Sequence, residues 1–140
     1  FAFKRVRLNH ILSKERIIEL RSVISEQVFL HERIGKYIQR LVAATRPYNP
    51  DTDWYQRSPS ELVERGVDLG ASPRAIICWG RLAKVWAILE ENRTEVLPED
   101  IQHLAPYILG HRIWLGPHAA SHGLSVDLVI KDIIERVPVP

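Results

Sequence analysis

The chain is 140 residues long, 46% hydrophobic and 26% charged, with a formal net charge of +2. That balance fits one ordinary globular domain and excludes disorder, collagen and low-complexity fibre. Roughly 70% of the unfolded surface can be buried at this length, enough for a core without staples.

The one cysteine, Cys78, cannot form an internal disulfide, and no apolar run of membrane-spanning length exists, so a reducing, cytoplasmic setting without a membrane span is expected. There is no methionine, the chain starts Phe1-Ala2-Phe3, and its opening lacks the apolar stretch of a signal peptide, so a fragment of a longer protein is expected. The 19 basic and 17 acidic side chains are mixed along most of the sequence. The short Lys4-Arg5-Val6-Arg7 run reads as a solvated edge, and nucleic acid is not an expected partner.

Ser13 offers an N-cap, with Leu12 before it as a staple residue, for a helix to about Glu26 with Ile17, Leu20 and Ile24 on one side and Ile18 beside them. Val28 to Leu30 bridge to a second helix, His31 to Thr45, whose face is Ile34, Tyr37, Ile38, Leu41 and Val42; Pro47 stops it. A long connection, 46–71, follows. Within it, Ser58-Pro59-Ser60-Glu61 has capping-box spacing with proline at the first helical position, and Gly66 can end a two-turn helix. Trp54 and Tyr55 are expected to anchor this loop to the body.

A third helix is predicted from Pro73 to about Glu91 behind Ser72 as N-cap. Ile76, Trp79, Gly80, Ala83, Trp86 and Ala87 share one face, and Ile77, Leu82, Val85 and Ile88 make much of the rest apolar, so this helix should be central and buried. Its tryptophans and Cys78 read as core residues. Thr94 to Leu97 is extended, and Pro98-Glu99-Asp100 opens a fourth helix that Pro106 should kink or break. Ile113 to Leu115 is strand-like and closed by Gly116-Pro117. A last helix behind Ser125 carries Val126, Val129, Ile130, Ile133 and Ile134. The fold class is all-α, a bundle of five or six helices with at most a minor strand pair.

No phosphate-binding glycine loop, dinucleotide fingerprint, zinc-protease motif or cysteine cluster is present. His118 and His122 lie four apart without an adjacent acidic or thiol partner, so no metal site is expected. The distinctive feature is Gly70-Ala71-Ser72-Pro73-Arg74-Ala75. A cation in a first helical turn opposes the helix dipole at roughly 0.3 to 1 kcal/mol, so Arg74 needs an anion. Free N–H groups and a guanidinium fork suit a phosphate; a nearby carboxylate such as Asp68 would serve equally, and residue chemistry leaves both open. Arg81, two turns on, extends the edge as a secondary basic position.

Gly70 to Ala75, then Val96-Leu97-Pro98-Glu99-Asp100-Ile101, Leu109-Gly110-His111-Arg112-Ile113 and the terminal Val137-Pro138-Val139-Pro140 follow in order. With Tyr37-Ile38 and Leu41-Val42-Ala43-Ala44-Thr45-Arg46, they resemble the C-terminal lid of MoxR-type AAA+ ATPases. The resemblance implies that 1–12 is the end of an ATPase core or a linker and 13–140 the helical lid, with the long loop at 46–71. It implies that Arg74 is the sensor-two residue contacting the nucleotide's terminal phosphate, supported by Ser72 and Pro73 at the helix start. ATP and Mg2+ would then be bound in the parent protein, whose catalytic residues lie in the core and none in this fragment, leaving the isolated chain inactive. Implied partners are the protein's own ATPase core, neighbouring subunits of a ring, commonly a hexamer, and a client protein remodelled in a chaperone-like manner, with a von Willebrand A domain protein alongside.

Two departures stand out: the connection from Arg46 to Gly70 is longer than the family usually carries, and Glu91-Asn92-Arg93 replaces a common glycine-arginine turn. Asparagine also tolerates the left-handed conformation. The competing reading is a stand-alone helical protein-interaction module without nucleotide dependence, Arg74 serving only in an ion pair. Helix-turn-helix DNA binding is disfavoured because the last helix sets only Lys131 and Arg136 against Asp127, Asp132 and Glu135.

Overall fold

The computed structural model describes residues 9–48, 58–119 and 123–140. Among these are six helices, α1 (Lys14–Gln27), α2 (Glu32–Ala44), α3 (Glu61–Gly66), α4 (Arg74–Leu89), α5 (Pro98–Leu109) and α6 (Val126–Arg136). Two short strands, β1 (Val67–Leu69) and β2 (Trp114–Leu115), pair antiparallel. The all-α bundle with a minor strand pair is therefore what this sequence forms. The Lys4 to Arg7 run, Trp54, Tyr55 and His122 lie outside the described residues.

The core is built where α4 packs on α5 and α2, with α6 closing the far side of α5. The expected face of α2, Ile34, Tyr37, Ile38, Leu41 and Val42, is buried throughout. Burying each large apolar side chain of this kind stabilises a fold by roughly 1.5 to 3 kcal/mol. His31 caps α2 by accepting the Arg33 N–H on Nδ1 at 3.1 Å. On α4, Ala75, Trp79, Gly80, Ala83 and Ala87 point inward. A Cβ added at Gly80 would stand 3.4 Å from the Leu30 side chain, so small residues here admit the neighbouring segment. Trp79 is fully buried and donates its indole N–H to the Ile101 carbonyl at 3.2 Å, satisfying its one polar atom.

Several expectations need correction. Helix α1 starts behind Ser13 as expected, but none of its residues is buried: Ile17 is 47% and Ile18 55% exposed, and only Ile24 reaches the core. Its main contact among the described elements is with α4. Cys78 is exposed rather than a core residue, because it falls on the outer face of α4, on the same side as Arg74. Ile77, at 57%, faces outward too. The cap of α3 is Ser60, whose Oγ accepts the Val63 N–H, because the Ser58 hydroxyl is engaged in donating to the Ala44 carbonyl at 2.6 Å. Ser72 makes no side-chain cap for α4: Pro73 already has helical angles, and Ser72 contributes only its carbonyl, to Ala75 N–H. Pro106 does not end α5, which runs on to Leu109; the proline sits on the exposed side, while Ile108 and Leu109 are buried and hold the last turn.

The turn between α4 and α5 is locked from both sides. Asn92 takes the left-handed φ of 49°, which asparagine tolerates better than most residues. Arg93 then forks onto the 4% exposed Asp100 at 2.6 and 3.1 Å, and Asp100 also accepts the Leu97 N–H at 2.8 Å. The hydrogen bond to Asp100 holds the Arg93 pKa above its ordinary value. Beside this turn, Phe29 and Glu95 form a parallel bridge that ties the start of α2 to the extended segment before α5.

Asp100→Asn should destabilise the chain by about 2 kcal/mol in urea unfolding, between the values for exposed and fully buried pairs, because it leaves Arg93 half-desolvated. A second carboxylate gives a pH signature. Burial pushes the Asp132 pKa up, but the Ser60 hydroxyl and Arg136 guanidinium together hold it below its ordinary 3.8. This stabilisation is present above pH 3.8 and lost as pH falls through the lower folded value. Asp132→Asn should therefore lower the midpoint of thermal unfolding near neutrality, with the gap closing in more acidic buffer.

Candidate functional site

The Gly70 to Arg74 segment is seated on the C-terminal end of α2. Thr45, fully buried, donates its hydroxyl to the Val42 carbonyl at 2.7 Å and accepts the Ala71 N–H at 2.9 Å. Arg46 donates Nε to the Ala71 carbonyl at 2.9 Å. Both backbone groups of Ala71 are thus satisfied by consecutive residues of one helix end. The approach is close enough to require glycine at the preceding position: a Cβ on Gly70 would lie 2.4 Å from the Thr45 carbonyl oxygen. Ala71 and Ala75 are buried, whereas Ser72, Pro73 and Arg74 between them are exposed.

This seating turns Arg74 outward at the first residue of α4. Among the described residues it forms no ion pair. The carboxylate alternative, Asp68, lies instead against the backbone of Gly116, where an added Cβ would be 2.7 Å from Asp68 Oδ1. Helix α4 has no acid in its first turn and no base in its last, and exposed Glu90 and Glu91 follow its C-terminus. Both ends therefore oppose the helix dipole, so the placement of Arg74 is not explained by stabilisation of α4.

Arg81 is exposed on the same edge and lines a cleft between α1 and α4 with Arg21 and Lys84; Lys84 donates to the Ser25 carbonyl at 2.7 Å. Arg74 and Arg81 share this edge, but Arg74 is not part of the cleft. Among the described residues no three His, Cys, Asp or Glu side chains gather as a metal site, and His122, the partner of His118 in the sequence reading, lies outside them. Among the described residues no helix is long and apolar enough to cross a membrane. Local pattern missed the supporting pair Thr45 and Arg46 as neighbours of Ala71; the available signal was a threonine ending a helix whose other inward positions are apolar.

Residues 60–133, spanning α3 to α6 and including Arg74, match the AAA lid domain family, and the chain belongs to it. It is 33% identical over 132 residues to the protein MoxR of Methylorubrum extorquens, covering 93% of this chain and 37% of MoxR. It is 29% identical over 134 residues to the chaperone MoxR1 of Mycobacterium tuberculosis, covering 93% of this chain and 32% of MoxR1. The crystal structure of a protein assigned as an ATPase from Cytophaga hutchinsonii superposes with a TM-score of 0.75 at 36% identity, over 92% of this chain and 36% of that one. The domain is therefore a lid of the MoxR type, and it spans about a third of the length of these relatives.

Thr45→Val keeps the shape but leaves the Ala71 N–H without its acceptor. It should cost about 1 to 3 kcal/mol in denaturant unfolding. Amide exchange should also quicken at Ala71 in advance of the α4 interior, a local loosening that a uniform loss of stability would not give.

Proposed function

We propose that this chain is the nucleotide-responsive lid of a MoxR-type AAA+ ATPase, with Arg74 as its sensor-two residue. The observation that carries the reading is an exposed guanidinium at a helix start, without a carboxylate partner among the described residues, on a backbone pinned by Thr45, Arg46 and Gly70. The exposed helix start and planar donor fork fit one phosphate group. ATP with Mg2+ would supply the phosphoryl group to be transferred, held in a core upstream of this lid.

Within that arrangement, Arg74 binds an oxygen of the terminal phosphate, and its fixed charge favours the negative charge that spreads over the phosphoryl oxygens during transfer. When the terminal phosphate leaves, the guanidinium loses its partner and the lid is free to rotate. Ser72 and Pro73 shape the exposed entry to the helix, while Arg81 keeps the same edge basic. The chain contributes no base and no magnesium ligand, and hydrolysis belongs to the longer protein. The chaperone name of the mycobacterial relative supports remodelling of a client protein as the output, and the family resemblance implies a ring, such as a hexamer, in which the lid touches its own core and the next subunit. A von Willebrand A domain protein as companion and a cytoplasmic location complete the reading.

Steady-state ATP hydrolysis by the full-length protein tests this, wild type beside Arg74→Ala. Turnover should fall about 10- to 100-fold, the scale of one lost charge-assisted contact. Circular dichroism should be unchanged, because Arg74 is exposed. Unaltered turnover, or a variant that unfolds, would count against the assignment and favour a protein-interaction module without nucleotide dependence.

A further inference from the structure

The outer face of α2 carries Arg33, Lys36, Arg40 and Ala43 at spacings that place them in one row. The three cations are exposed. The row walls two adjoining clefts that share Gln39, Arg40 and Ala43. The larger, of about 710 Å³, extends to Arg46, Arg136 and the start of α4 at Pro73 and Ile76. The smaller, of about 470 Å³, takes in Arg33, Lys36 and the terminal Pro140. The two clefts adjoin between α2 and the C-terminal segment, where Pro138 and Pro140 provide apolar wall, and are treated together as one groove.

Five cations line this groove, and no aspartate or glutamate among the described residues does. Three of the five are already engaged in part: Glu32 pairs with Lys36 at 2.6 Å from an exposed position, Asp132 holds Arg136 Nε at 2.8 Å, and Arg46 reaches the Ala71 carbonyl. Arg33 forms no ion pair among the described residues, and Arg40 lies over the Tyr37 ring at 5.9 Å. The near-neutral net charge conceals this concentration because exposed Glu90, Glu91, Glu95 and Glu99 gather at the other end of α4 and the start of α5. A concave basic wall beside apolar surface focuses positive potential where a ligand would sit.

We infer that this groove docks an acidic polypeptide segment, its carboxylates along the α2 row and its apolar side chains on Ile76 and the prolines. A protein segment suits the groove better than nucleic acid. Among the described residues no aromatic ring lines it to stack a base, the apolar wall has no use for a sugar-phosphate backbone, and the glutamate-rich end would repel a long polyanion. Arg46 and Pro73 border both this groove and the candidate nucleotide site, but the Arg74 side chain does not line the groove, so Arg74→Ala tells the two readings apart.

The test is fluorescence anisotropy of the 140-residue chain with a short fluorescein-labelled peptide of alternating glutamate and leucine. Beside it run the same peptide with glutamine for glutamate and a single-stranded oligonucleotide of equal length. Saturable, salt-sensitive binding of the glutamate peptide is expected, weakened at least about tenfold by Arg33→Glu with Arg40→Glu and unchanged by Arg74→Ala or Lys131→Glu. Circular dichroism checks the fold, and Arg33→Gln with Arg40→Gln replaces the charge reversal if that variant misfolds. Absence of binding, equal binding of the glutamine peptide, indifference to both double variants, or tighter binding of the oligonucleotide would overturn the proposal.

Discussion

The Thr45 hydroxyl is the joint on which the orientation of the domain depends. A buried hydroxyl is costly unless it is bonded, and this one donates to Val42 within its own helix and accepts from Ala71 in the approach to the next. The two bonds leave Ala71 only one way to meet α2, and Gly70 lets the backbones come that close. With the entry fixed, the rotation of α4 about its axis is fixed as well. Ala75, Trp79, Gly80, Ala83 and Ala87 turn to the core, leaving Arg74 and Arg81 on the outside. Under the proposed nucleotide role, holding the guanidinium in this manner matters, because a loose helix start would spend the contact energy on ordering itself.

Periodicity and caps made α2 and α6 legible in the sequence, since each pairs a side-chain cap with apolar residues at helical spacing and packs them on the core. The same signal misled at α1. Spacing tells that a helix has an apolar side, but it carries no information on what covers that side, and Ile17 and Ile18 face outward. Cys78 and Ile77 failed for a related reason: α4 is apolar over most of its circumference, while only the stripe of small residues plus Trp79 fits against its neighbours. Ser72 has the preferred chemistry for a cap, yet Pro73 enters the helical region first and leaves that side chain nothing to bond.

Of the candidate site, Arg74 was visible because its charge conflicts with the helix end it occupies. Its support was not, since Thr45 and Ala71 stand 26 residues apart and meet only through the packing of α2 against α4. The partner of Asp100 was hidden in the same way. Its position near a helix N-terminus accounts for its charge on local grounds, whereas its burial depends on Arg93 reaching back across the turn.

The charges that fit poorly with local stability share one property. Arg74 opposes the dipole of α4 at one end, and Glu90 and Glu91 oppose it at the other. The α2 row places Arg33, Lys36 and Arg40 side by side, a repulsion that only the exposed Glu32 relieves within the helix. Isoleucines at 17, 18 and 77 leave apolar area in water. Local contacts such as the Glu32 pair and the Tyr37 ring satisfy the α2 charges only in part, and under the proposed function such partly satisfied charge and apolar surface on the outside is what a lid would turn toward other parts of its protein. The Arg93 to Asp100 lock and the Thr45 joint are the counterpart: they satisfy buried polar groups completely, and so give the outward-facing groups a rigid frame from which to act.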